Sequence, residues 1–449
     1  MKNKNRQNEL KRVLGSGFAF SACIGGIIGL GILRTPGEIT AVFSDPLVYV
    51  GLWVVGGLFA LMSIGVVAEL IGITPRSGGT YVLVKRAYGP YPGFLIGWTD
   101  WMSFSATLAL KVAVLVEYIT LLMPAITNWQ TSLAIVIITL FATLQLFSVR
   151  LGAGIQQVAA LGMGVTVIGF SIALVVGGPV DVAVESVAQT SVGLSDYGLV
   201  AAAIIFTYDG WIGASYFGSE IKGGGGVVAR ACVKSLAIVL VLYVALNAAL
   251  AYSVPLQSLA GHELALAGAL ELVFGQGAAT VVIVVAILIL LAHQNLNFLQ
   301  APRILHALSS DGFGTQRASN LGQGGNPVFA VMLTWMLAVI LLLSGGFEFL
   351  LKLNVLFFIF IYLALLIGVI ILRKTEPEAK RPYMAWGHPF TTIVGILGWA
   401  VVSIFMTVSS PDSALGAAFM FLVSVPVYLA LIKYRGRGNE VSSNPTGQV

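Results

Sequence analysis

Gly25-Gly26-Ile27-Ile28-Gly29-Leu30-Gly31 sets four glycines within seven residues in the middle of an apolar stretch, and Arg34 and Pro36 follow at once. Glycine inside a helix costs up to about 1 kcal/mol relative to alanine. Two readings compete: tight helix packing, because small residues let backbones approach within a bilayer, or an interruption of the helix. A second stretch weighs for interruption. Phe206-Thr207-Tyr208-Asp209-Gly210-Trp211 lies inside another apolar run, where a carboxylate costs about 2.5 to 3.5 kcal/mol unless it meets a partner or water.

Around these two stretches the whole chain is apolar. Of 449 residues, 57% are hydrophobic and 10% charged, and the mean hydropathy is +0.93; lipid is the expected solvent. A hydrocarbon core about 30 Å thick needs roughly 20 apolar residues per helix. Such runs are expected at 14–42, 46–73, 87–122, 130–148, 152–177, 196–222, 231–254, 273–308, 327–345, 348–372, 386–409 and 413–433. The expectation is an all-α polytopic membrane protein of twelve transmembrane helices over 14–435, with cytoplasmic tails at 1–13 and 436–449, the second unstructured. The first run is too long, and lacks the cleavage site, for a removable signal peptide.

Charge sets the expected orientation. All of the 24 Lys and Arg except Arg34, Lys111 and Lys352 then fall on the side of the N-terminus, and the opposite loops hold Asp45, Asp181, Glu185, Glu263 and Asp412. By the positive-inside rule that side is cytoplasm, which makes this an integral protein of the plasma (inner) membrane. The basic residues come in small groups between spans, so nucleic acid is not an expected partner. The two cysteines, Cys23 and Cys232, are too few for a thiolate zinc site or a disulfide scaffold. No cofactor or metal is expected, and no Gly-Lys-Ser/Thr phosphate loop is present.

Interruptions at corresponding positions of two repeats point to a transport site. Spans 1 and 6 are such a pair if the first ten helices form two inverted five-helix repeats. A half-helix starting near Gly29 would aim free N–H groups and its positive dipole end at a ligand carboxylate. Carbonyls freed near Ile27 and Phe206 would accept from an ammonium, with Asp209 adding charge. An α-amino acid satisfies both sets, and a polyamine or other organic amine anchored on Asp209 is the alternative.

These residues resemble the amino acid–polyamine–organocation (APC) superfamily, within it the L-type amino acid transporter and bacterial serine/threonine exchanger branch. Gly29-Leu30-Gly31-Ile32-Leu33 is similar to that family's G-S-G-I-F break, and Phe206 to Trp211 to its F-A-Y-x-G-W. Ala68-Glu69-Leu70 through Trp98 is similar to its A-E-L, P-R-S-G-G, Y-G and G-F-x-x-G-W run. Glu220-Ile221-Lys222 and Arg303 with Asp311-Gly312 match the ends of spans 6 and 8.

The resemblance implies a LeuT-type fold, a 5+5 inverted repeat plus two further helices with helices 1 and 6 discontinuous, working by alternating access as a permease. It implies substrate contacts from Ile27, Ile28, Gly29, Leu30, Gly31, Phe206, Thr207, Asp209 and Gly210, with Phe206 as an aromatic gate. The carboxylate would sit on the N–H groups of Gly29, Leu30 and Gly31, and the amine on carbonyls of Ile27, Phe206 and Asp209. Four positions depart from the pattern. Leu30 stands where relatives carry serine, Met163 where some carry a lysine that replaces sodium, and Ala301 and Pro302 where a sodium site would have hydroxyls. Exchange or facilitated diffusion is therefore expected over ion-driven uptake.

Other residues carry weaker signals. Arg34 pairs with a carboxylate, lines the outer vestibule or touches a substrate side chain. Lys111 and Asp100, eleven residues apart in span 3, cannot pair with each other, and Lys111 either tunes the site, carries a proton or fills a structural role. Glu69 reads as a structural ion pair, His293 and His306 as core or loop histidines, and Gly223 to Gly226 as a loose hinge. No catalytic constellation is present, so an enzyme is not expected. A non-transporting sensor remains a distant alternative. No cysteine falls in an expected extracellular loop, so no disulfide-linked partner subunit is expected.

Overall fold

The computed structural model describes residues 10–180, 193–344 and 347–442. Lys2, Lys4, Arg6, Asp181, Glu185 and the tail from 443 lie outside these residues. The first apolar run folds as two helices, α1 (Ser16–Ile27) and α2 (Gly31–Thr40), separated by Ile28, Gly29 and Leu30. There follow α3 (Pro46–Ile73), α4 (Thr80–Tyr88), α5 (Pro90–Leu122), α6 (Gln130–Phe147), α7 (Val149–Gly177) and α8 (Leu194–Thr207). The remainder is α9 (Gly225–Ser253), α10 (Ala265–Phe274), α11 (Ala278–Ser310), α12 (Val328–Leu343), α13 (Phe347–Thr375), α14 (Phe390–Ser409) and α15 (Pro411–Ser442). Among the described residues the only β-type pairing is two isolated bridges.

Among the described residues ten helical segments, counting α1 and α2 together, are long and apolar enough to cross a membrane. Of the twelve expected spans, two give shorter helices. α8 stops at Thr207 because the chain unwinds at Tyr208–Asp209–Gly210, and α12 has 16 residues, about 24 Å at 1.5 Å per residue. The expected starts of spans 3 and 8 move inward. Gly89 (φ 91°) ends the separate helix α4 before Pro90 opens α5, and Gly275 (φ 82°) ends α10 ahead of α11. The tail expected to be unstructured from Gly436 continues as helix to Ser442.

Side chains sort themselves by solvent. On α7, Val158, Leu161, Val165, Ile168 and Ile172 recur at helical spacing and are 46 to 75% exposed, which is the stripe a helix presents to lipid. The inward stripe of the same helix, Gln156, Ala160, Met163 and Val167, is buried. α9 lies along α3, α1 and α7, and α5 along α11, α12 and α13. Asp45 caps α3 by accepting from the Val48 amide at 2.9 Å, satisfying one of the orphan donors of the first turn.

At the end of the bundle that carries the basic residues, ion pairs tie helices together. Glu69 accepts from Arg373 (2.5 Å), Arg381 (2.9 Å) and the Ala385 amide (2.8 Å), the structural pairing its position suggests. The glycine run Gly223 to Gly226 is no loose hinge. Gly225 and Gly226 open α9, and a Cβ on Gly225 would run into the Gly72 carbonyl, so the segment is clamped against α3.

Candidate functional site

Local sequence explains the first interruption. Ile28 leaves the helix with ψ 96° while its amide still donates to the Ile24 carbonyl at 2.9 Å. The amides of Leu33 and Arg34 donate to the Leu30 carbonyl at 3.0 and 3.1 Å, which starts α2 at Gly31 with Leu30 as N-cap. The half-helix therefore begins two residues later than the sequence suggested. Gly29, Leu30 and Gly31 fall where a helix N-terminus leaves its donors without intrahelical partners, so the expected donor set keeps its chemistry.

The second interruption lies against the first. A Cβ on Gly31 would sit 2.8 Å from Thr207 Oγ1, and one on Gly26 would sit 2.9 Å from the Gly210 carbonyl. Gly210 has φ 101°, a conformation side chains avoid, and its own Cβ would strike the Gly26 backbone. Thr207 Oγ1 meets Thr35 Oγ1 at 2.8 Å and donates to the Ala203 carbonyl at 2.8 Å. α2 and the end of α8 are thus fastened side by side. The second half of span 6 does not resume as a helix: beyond Gly210 only a 3₁₀ turn, Gly213–Tyr216, interrupts irregular backbone until α9.

Three groups that sequence reasoning left free are engaged. The Ile27 carbonyl accepts from the Tyr243 hydroxyl at 2.9 Å, and the Asp209 carboxylate accepts from the Tyr362 hydroxyl. The Phe206 carbonyl accepts from the Asp209 amide at 3.1 Å. Each carbonyl keeps a second lone pair. Phe206, half-buried, meets Trp399 edge-on at 6.3 Å; Trp399 meets Tyr362 at 4.8 Å, and Tyr362 stacks on Trp211 at 4.6 Å. Through Tyr362 this aromatic wall reaches Asp209. Tyr243, Tyr362 and Trp399 come from helices whose sequences carry no break or charge at those positions, so no spacing announced them.

The remaining candidates distribute around this core. Arg34, on α2, lies one turn from Glu38 and interacts with it electrostatically, the usual i,i+4 geometry. Lys111, half-buried on α5, interacts with Asp209 but forms no ion pair among the described residues. Asp100 does not face Lys111; Thr80 and Tyr216 donate to it, Tyr216 at 2.9 Å. Met163 is buried on α7 behind the first break, one turn past Ala160, whose Cβ lies 3.7 Å from a Cβ built on Gly25. Cys23 and Cys232 are both buried, their sulfurs 3.6 Å apart.

Beyond the breaks, backbone bonds join distant segments into a seam. The Leu14 amide donates to the Glu220 carbonyl (3.0 Å) and the Lys222 amide to the Leu14 carbonyl (2.9 Å), while Gly78 donates to the Tyr216 carbonyl (3.2 Å). Under this seam Arg303 pairs with Glu220 at 2.6 and 2.7 Å. At the rim Asp311 accepts from Lys85 (2.8 Å), Tyr81 (2.7 Å) and Arg76 (3.1 Å). Burial alone would raise the Asp311 carboxyl, but the bonds from Lys85 and Tyr81 and the charge of Arg76 outweigh it and hold it below the usual carboxylate range. A carboxyl depressed by folding stabilises above its unfolded value, about pH 3.9, and loses that contribution as pH falls through the folded one. Thermal melts of wild type and Asp311→Asn in detergent should differ by a constant amount above that pH and converge below it; a difference independent of pH would contradict the network.

The amino acid permease family model matches residues 18–432. The chain is 25% identical over 440 residues to the serine/threonine exchanger SteT of Bacillus subtilis (strain 168), covering 95% of this chain and 98% of that one. It is 24% identical over 468 residues to the gamma-aminobutyric acid permease of the same organism, covering 98% of each chain. It is 24% identical over 437 residues to the mouse b(0,+)-type amino acid transporter 1, covering 92% of this chain and 86% of that one.

Proposed function

Because the chain belongs to the amino acid permease family, within the APC superfamily, we propose that the facing breaks of α1/α2 and α8 are the substrate site of this secondary amino acid transporter. It is an integral membrane protein and not an enzyme. The substrate carboxylate binds the amides of Gly29, Leu30 and Gly31 at the positive end of α2. The ammonium binds the remaining lone pairs of the Ile27, Phe206 and Asp209 carbonyls, at the C-terminal ends of α1 and α8. Ile28 sets the exit angle of α1, Thr207 and Gly210 hold the two breaks in register, and Phe206 closes over the ligand. The observation that carries this reading is the contact of Gly31 with Thr207 and of Gly26 with Gly210, which brings opposite helix ends to one place.

The mode of transport is exchange or facilitated diffusion by alternating access. Support comes from the apolar Met163 behind the first break and from Ala301 and Pro302, both buried on α11, which offer no hard oxygen from their side chains to sodium. The end carrying Arg76, Lys85 and Arg86 lies in the cytoplasm, by the excess of basic residues there, and both termini lie on that side of the plasma membrane. No disulfide-linked subunit is needed, since both cysteines are buried within the bundle. Uptake of labelled neutral, acidic and basic amino acids into proteoliposomes without ion gradients is the test. Preloading with unlabelled substrate should stimulate uptake several-fold; uptake that appears only with an imposed proton or sodium gradient would mean that Lys111 or another group couples transport to an ion.

A further inference from the structure

Five polar side chains fall within eight residues of α11: His293, Gln294, Asn295, Asn297 and Gln300, all buried. Three of them bond to backbone of other segments, Gln294 to the Leu108 carbonyl (3.0 Å), Asn295 to Gly152 (3.0 Å) and Gln300 to Gly213 (3.1 Å). His293 does not. It is 3% exposed, and neither ring nitrogen closes a hydrogen bond. Its Cε1 lies 2.8 Å, and each ring nitrogen 3.7 Å, from the position a Cβ on Gly29 would take. The Cε1 edge of the imidazole, between the two nitrogens, thus faces the first break, and a flip of the ring about Cβ–Cγ exchanges Cε1 with Nε2 and turns that nitrogen toward it. A buried imidazole N–H without an acceptor bears its full desolvation penalty. The Gly25 carbonyl is within electrostatic reach without hydrogen-bond geometry, and Lys111 of α5 adds positive charge beside the ring.

We propose that His293 donates a hydrogen bond to the substrate's α-carboxylate beside the Gly29 amide, so that recognition of the free carboxylate rests on a side chain of α11. This rests on the reading of the first break as the carboxylate site. Leu30 offers no hydroxyl at the break, so the backbone amides are the only donors α2 itself supplies, and they bind any carbonyl oxygen. A side-chain donor beside them, within electrostatic reach of the Lys111 ammonium, favours an anion over a neutral ester. A site built to satisfy a buried polar group rejects the analogue that leaves it unpaired. Hydrogen bonds to charged groups have strengths that correspond to a preference of about 10- to 100-fold.

The experiment uses the full chain in proteoliposomes. The twenty L-amino acids are screened, and the best carried one is competed with its unlabelled form and with its α-methyl ester. Wild type should prefer the free acid. His293→Leu should lose that preference about 10- to 100-fold, through weaker binding of the acid and unchanged binding of the ester, and His293→Gln, which keeps an N–H donor, should retain most of it. An unchanged ratio in His293→Leu, or equal loss for acid and ester, would overturn the proposal. A second readout avoids that variant: with ¹⁵N-histidine in wild type, the ring resonances absent from His293→Gln should shift on adding the amino acid and stay in place with the ester. No shift with the amino acid would overturn it as well. Normal transport by Gly31→Val would remove the parent reading and this one together; an inactive Gly31→Val beside an unchanged His293→Leu ratio would remove this one alone.

Discussion

Gly31→Val is expected to reduce uptake by roughly two orders of magnitude or more, the scale on which about 1 Å of misplacement at a working site acts. A Cβ at this position meets Thr207 Oγ1 at 2.8 Å, Cγ2 at 3.1 Å and Cα at 3.2 Å. None of these atoms moves cheaply. Thr207 Oγ1 is held by Thr35 and by the Ala203 carbonyl, and Cα belongs to the last turn of α8. Valine's two methyl groups add to the clash, because its χ1 has few alternatives. The collision therefore drives the two breaks apart and takes the α2 amides away from the α8 carbonyls. Gly154→Val supplies the comparison: nothing lies within 4 Å of a Cβ there, so the same substitution should leave uptake unchanged. Both proteins would be checked for monodispersity before uptake is measured. Normal transport by Gly31→Val would mean that the substrate lies elsewhere.

Arg303→Met should destabilise the protein by about 3 to 5 kcal/mol, the usual cost of removing one partner from a buried ion pair. The guanidinium and the Glu220 carboxylate are 0 and 2% exposed and share two short hydrogen bonds. Arg303 also lies over the Phe217 ring at 4.5 Å and donates to Asn326 Oδ1 at 3.3 Å. Methionine fills part of the volume but leaves Glu220 charged and buried, with Ser77 Oγ at 3.3 Å as its remaining side-chain donor. Adding Glu220→Gln should restore much of the loss, because the stranded charge rather than the missing contact dominates it. Chemical denaturation in detergent would measure both variants. A double variant no more stable than the single one would show that packing around Arg303, not charge, carries the effect.

Much of this architecture is legible in the sequence. Glycine density at 25–31 and the carboxylate at Asp209 marked the two interruptions, because a bilayer makes both features costly unless they serve a break. Their ends were less legible. That α2 starts at Gly31 and not Gly29 depends on which carbonyl the Arg34 amide selects, a choice made by tertiary packing. The helical continuation expected through Lys222 failed because 213–222 bonds to Leu14 and to the segment around Ser77, partners far away in the chain. Tyr243 and Tyr362 occupy acceptors at the site for the same reason: an aromatic residue inside an apolar helix looks like core until the helix facing it is known. His293 reads as a core or loop histidine because its neighbours in sequence say nothing of Gly29, 264 positions earlier.

The seam that joins Leu14 to residues 220–222 is made of peptide groups alone. Point substitutions that keep the amide therefore leave its bonding pattern intact, so loss of function from changes nearby must act by repacking. It also makes the seam a clock that needs no label. The Leu14 and Lys222 amides can trade hydrogen for deuterium only when this seam parts, so their exchange in the absence and presence of amino acid would count how often the bundle opens at the end that carries it, and whether amino acid hastens or delays that opening.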